Sequence, residues 1–127
     1  MTELHGSPHQ RKMIAEINQP FNPSLVILDG IDAFIDGGPA KGTLKHPNIM
    51  LASTDRIAID AVGVAILRML GTTPEVENGS IFEQEQIARA VELSLGVKSA
   101  SEIKIVSDKE ESDEYIHKIH EFLNKSI

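Results

Sequence analysis

Three aspartates and four glycines are crowded into DGIDAFIDGGPAKGT, residues 29–43, directly after the apolar run SLVIL at residues 24–28. Carboxylates beside glycines are what a chain needs to bring charge and bare backbone against a ligand. A second group follows at Asp55, Arg56 and Asp60. In open α/β sheets, ligands bind beyond the carboxyl ends of the strands. If the strand ending at Asp29 and the next strand run parallel, Asp29, Asp55 and Asp60 converge. Hard carboxylates of this kind suit Mg²⁺ or Mn²⁺ rather than zinc. The expected metal ligands are Asp29 and Asp60. The wider ligand-binding set adds Gly37, Gly38, Lys41, Asp55 and Arg56.

Each of these residues has a plainer reading. Asp29-Gly30 is a turn signal, and Asp55 is an acid in a first helical turn. Asp60 lies inside an apolar helix, where a carboxylate must be paired or hydrogen-bonded, or its pKa rises. Arg56 is four residues earlier, on the same helix face, so an Arg56–Asp60 ion pair competes with a ligand site. The loop around Gly37, Gly38, Lys41 and Gly42 matches neither dinucleotide nor P-loop spacing, so it reads as a mobile rim or a surface loop. His117 and His120 share a helix face, but at three-residue spacing on a solvated helix. No Ser–His–Asp or Cys–His set can be assembled.

The elements that position these residues follow from periodicity. A helix opens after a capping-box pattern at Ser7 and stops before Pro20. Residues 24–28 form a strand, residues 48–53 a second, and residues 102–106 a third, with residues 33–35 a candidate extra strand. Between them, DRIAIDAVGVAILRML has almost no polar face, so it is a buried helix, capped by Ser53 or Thr54 and closed by Gly71. Further capping boxes at Ser80 and Ser107 open two later helices, the first closed by Gly96. The expected fold class is α/β, a parallel or mixed sheet of three to five strands with helices packed on it, in the order α-β-(Gly loop)-β-α-α-β-α. Residues 1–127 form one domain, with residues 1–6 disordered.

Composition excludes several functions. The chain has 127 residues, a net charge of −7, twelve scattered Lys and Arg, 4% aromatics and no Trp. It lacks both the basic footprint of a nucleic-acid binder and a base-stacking platform. With no cysteine, this chain alone can hold no disulfide, thiolate zinc site or cysteine-ligated iron–sulfur cluster. No segment has the length and apolarity of a membrane span or the pattern of a signal peptide, so a soluble cytoplasmic protein is expected.

The stretch MIAEINQPFNPSLVILDGIDAFIDGGPAKGT, followed by LASTDRIAIDAVGVAILR, resembles the family called domain of unknown function 362. GTTPEV, IFEQEQIARAVELSLGV and the expected closing strand look similar too, so the resemblance runs from about Ser7 to Val106. Its D-G, GGP and S-x-D-R-x-A-x-D-A-x-G elements carry it. The resemblance implies a larger architecture, of which this chain is the C-terminal part, often adjoining a cysteine-rich iron–sulfur module. Two functions follow. One is a carboxylate-lined cleft contributing to an incomplete enzymatic or redox site. The alternative is a non-catalytic assembly module that docks an iron–sulfur partner or itself. A homo-oligomer, or a missing upstream segment, is expected, because the apolar helix starting near Arg56 needs cover on many sides.

Overall fold

The apolar helix is the axis of the molecule. In the computed structural model, which describes residues 2–125, α3 spans Arg56–Leu70, and Ile57, Ala58, Ile59, Ala61, Val62, Ala65 and Ile66 along it are buried. Its cap is Asp55, not Ser53 or Thr54: Asp55 Oδ1 accepts from Ile57 N and Ala58 N at 2.9 and 2.8 Å. Gly71, with φ of 80°, stops it. One side of α3 lies under two strands, β1 (Val26–Gly30) and β4 (Ile49–Ser53). On another side it packs against the last helix, α6 (Asp113–Leu123). Ile81, Ile87, Ile119 and Leu123 complete the core.

Fold class is mixed α/β, but the expected parallel or mixed sheet of three to five strands is not formed. The described residues form two separate two-stranded antiparallel sheets. In the first, β1 pairs with β4 from Val26↔Ser53 to Gly30↔Ile49. In the second, β2 (Ala33–Phe34) pairs with β3 (Leu44–Lys45), closing the glycine loop. The extra strand expected at residues 33–35 is therefore real, and it is what turns the chain back. A parallel return needs a long crossover, whereas a hairpin lets the next strand come back antiparallel. The strand expected at residues 102–106 has no ladder partner among the described residues. Its front end is a 3-10 turn, Ala100–Glu102, followed by Ile103 with an extended backbone, and residues 103–106 form no regular element.

Shorter elements complete the molecule: α1 (Thr2–Gly6), α2 (Gln10–Glu16), α4 (Pro74–Glu77) and α5 (Glu85–Glu92). Residues 2–6, expected without regular structure, form one short helix, and Met1 lies outside the described residues. The Ser7 hydroxyl accepts from His9 N instead of opening a helix, so α2 begins later, at Gln10. The Ser80–Glu83 box does form, on a 3-10 turn leading to α5. In the Ser107 pattern the hydroxyl accepts from Lys109 N, and α6 begins only at Asp113. Helix α2 packs on α5, where Arg89 donates to Glu16 at 2.8–2.9 Å and to Glu92 at 2.8 Å.

Candidate functional site

Pairing direction decides which acids can meet. Asp29 lies opposite Met50. The end of β4, from which Asp55 follows, is three residues further along the ladder, roughly 10 Å at strand rise. The carboxyl ends of β1 and β4 therefore point opposite ways, and Asp29 and Asp55 do not converge. The strand-end expectation presumed parallel strands, which this sheet lacks.

Asp55 is fully engaged elsewhere. Besides capping α3 through Oδ1, it accepts through Oδ2 from Val97 N at 2.8 Å. One carboxylate thus clasps the start of α3 to the turn after α5. Gly96 is what permits this approach, because a Cβ there would overlap the Asp55 carboxylate. Asp55 also lines a groove of about 300 Å³ between β4 and residues 102–106.

The glycine loop is likewise built on itself. Asp36 accepts from Thr43 N and Thr43 Oγ1, both at 2.7 Å, and these bonds hold its carboxyl below the usual range. Gly37 and Gly38 adopt φ of 62° and 77°, and a Cβ on Gly37 would run into the Lys41 carbonyl. Lys41 is exposed. Neither these glycines nor Lys41 line the groove beside Asp55 or the two cavities that Asp60 borders. Thr72 Oγ1 anchors the loop's base by donating to Ile35 O at 3.0 Å.

Asp60 and Arg56 do meet a shared space. Both line a cavity of about 260 Å³ enclosed by α2, β1, α3 and α5, together with Asn18 and Gln86. Among the described residues the expected Arg56–Asp60 ion pair does not form. Arg56 instead donates through Nη1 to Asn18 O at 2.8 Å and through Nε to Leu95 O at 3.3 Å. Among the described residues Asp60 accepts one bond, from the neutral Gln86 amide at 3.2 Å. Burial pushes the Asp60 carboxyl above its usual value, and Gln86 pulls it partly back.

Asp60 also borders a second cavity of about 180 Å³, whose rim includes Asp29. The two aspartates sit on different sides of β1. Val26, Leu28 and Gly30 face inward, while Ile27 and Asp29 are exposed, and Asp29 Oδ1 is taken by Ile31 N at 2.9 Å. Among the described residues no group of three His, Cys, Asp or Glu is placed to hold a metal ion, so a cation here would rely on water for most of its shell.

Sequence reasoning missed Gln86 and Asn18, which lie in ordinary polar stretches without a motif. It also missed Arg68. This guanidinium is 4% exposed, and it donates to the carbonyls of Val76, Gly79 and Asn78 at 2.8, 2.9 and 3.3 Å. Burial lowers its pKa, with Glu77 opposing. A lone cation amid apolar residues was the available signal.

Residues 1–65 match the family model described as domain of unknown function (DUF362). The match covers the N-terminal half of the chain, not a stretch reaching Val106, and does not assign the chain to the C-terminal part of the family. No curated protein and no solved structure matches the chain. Among the described residues, no helix is long and apolar enough to cross a membrane.

Proposed function

The chain belongs to the DUF362 family, a description that assigns no reaction, and from that premise we propose that the cavity beside the first turns of α3 binds a small molecule carrying both an acid group and a hydrogen-bond donor. Arg56 takes the acid and Asp60 takes the donor. One observation carries this reading. Oppositely charged side chains line a single 260 Å³ space without pairing to each other. Each keeps hydrogen-bonding capacity unused: Arg56 spends two of its five N–H donors on carbonyls, and Asp60 accepts a single bond. The volume is near the lower end of ligand pockets, which start at about 300 Å³. A half-buried carboxylate with a raised pKa can hold or release a proton against a bound group, as candidate site residues do.

Thermal melting against glycine and glycolate tests the reading, with Mg²⁺ alone and inorganic phosphate alone as separate arms. A ligand that binds only the native state raises the melting temperature. The expected result is a rise with glycine or glycolate that is lost in Asp60→Asn and in Arg56→Gln. A response to Mg²⁺ alone, lost in Asp60→Asn, returns the site to the cation reading. No response in any arm refutes a small-ligand site here.

A further inference from the structure

Asp60 and Leu28 each line both the 260 Å³ cavity beside Arg56 and the 180 Å³ cavity, so the two spaces are neighbours. Burial along α3 draws the same line. From Arg56 to Leu67 the half-buried residues are Arg56, Asp60, Gly63, Val64 and Leu67, and every other residue is buried. Steps of three and four residues place them on one stripe of the helix. Arg56 and Asp60 border the first cavity, and Asp60, Gly63, Val64 and Leu67 border the second. Gly63 leaves room beside Leu28: a Cβ there would stand 3.1 Å from Leu28 Cδ1, tighter than ordinary contact. Apolar side chains make up most of the second cavity's wall, Ala33, Pro47 and Ile49 among them. Its charged lining residues, Asp29 and Asp60, are both acids.

We propose, resting on the assignment of an acid-and-donor head group to Arg56 and Asp60, that the two cavities form one binding trough along α3. Its ligand is a small acid with a hydroxyl or amine beside the acid group and an aliphatic chain behind it. Charge sets the orientation. An anionic head in the second cavity would face two acids, so the head lies at Arg56 and the chain runs past Asp60 toward Leu67. Size sets the chain. By itself the first cavity falls short of an ordinary ligand pocket, whereas the two together come within that range. An apolar cavity of about 150 Å³ takes a six-carbon ring, so the 180 Å³ cavity takes about six carbons. From Asp60 to Leu67 the helix runs about 10 Å, room for such a chain laid out along the stripe. Apolar walls with the polar groups gathered at one end are how pockets for such ligands are built.

Isothermal titration of the intact chain with glycolate, α-hydroxybutyrate, α-hydroxyhexanoate, α-hydroxyoctanoate and α-hydroxydodecanoate tests this. Complete burial of a methylene tightens binding about fourfold. In a half-open trough about twofold is expected, which makes α-hydroxyoctanoate about fiftyfold tighter than glycolate. The longer α-hydroxydodecanoate should gain nothing more, because its end projects into water. Leu67→Trp fills the far end and should remove about fourfold of that gain, the worth of two methylenes. Gly63→Ala crowds Leu28 and should remove about twofold. Alanine is the better helix former, so this variant keeps the fold, and the unliganded melting curves check both. Glycolate that binds, with no gain from longer chains, overturns the trough and leaves the head-group assignment standing. No binding by any of the acids removes both. A chain-length gain undiminished in Leu67→Trp and Gly63→Ala, or in Arg56→Gln combined with Asp60→Asn, puts the chain elsewhere and overturns the trough.

Discussion

Replacing Asp55 tests whether this residue is a clasp rather than a ligand. Asp55→Ala removes two interactions at once. The first is the helix cap to Ile57 N and Ala58 N, at 2.9 and 2.8 Å; such a cap contributes about 1 kcal/mol. The second is the bond from Val97 N to the charged Oδ2, at 2.8 Å; hydrogen bonds to charged groups contribute about 1.5–3 kcal/mol. Water can reach this half-buried site, so the expected loss is about 2.5–4 kcal/mol rather than more. Asp55→Ser keeps an oxygen for the cap but cannot reach Val97, so it should lose about 1.5–3 kcal/mol. Urea denaturation gives both numbers, provided the slope of free energy against denaturant is unchanged. Hydrogen exchange adds a local readout: the Val97 amide should lose protection in both variants. Gly96→Ala supplies the cross-check. Its Cβ meets the carboxylate only when Asp55 is present, so Gly96→Ala should be destabilising in the wild type and mild beside Asp55→Ala. The cycle should be non-additive. If Asp55→Ser matches the wild type and Val97 stays protected, the clasp does not exist.

Two further perturbations bear on the charges around α3. The Asp60 carboxyl is raised in the fold, so at a pH between its unfolded and folded values the native state binds the proton more tightly, and stability falls as pH rises through that window. Asp60→Asn should therefore stabilise the chain above the folded pKa and match the wild type below the unfolded one, in melts from about pH 3 to pH 8; a loss of stability at neutral pH refutes this, since Arg56 has carbonyl partners and is not stranded. Arg68→Leu should cost about 2–4 kcal/mol in urea denaturation, because three carbonyls lose a charged donor, and Arg68→Lys should recover less than half because the planar fork is gone; a neutral Arg68→Leu would show that water replaces the guanidinium.

Local pattern alone marked out the buried helix. Eleven apolar residues between Ile57 and Leu70 leave no polar face, and only burial accommodates that, whatever lies around it. It also located Asp60 as a carboxylate needing a partner, the Ser80 capping box, the short strand at Ala33, and family membership through the residues around the glycine loop and the start of α3. The direction of β4 was beyond it. Side-chain alternation is the same for a parallel and an antiparallel strand, and residues 31–48 are long enough for either return. The β2–β3 hairpin decided the matter, and with it the separation of Asp29 from Asp55. Partner choice was equally hidden. Arg56 sits one turn from Asp60, yet carbonyls from Asn18 and Leu95, 38 and 39 residues away in sequence, take its donors. A helical spacing gives two groups the opportunity to meet. Which of them stay unpaired around a cavity is decided by chain segments that arrive only when the fold is complete.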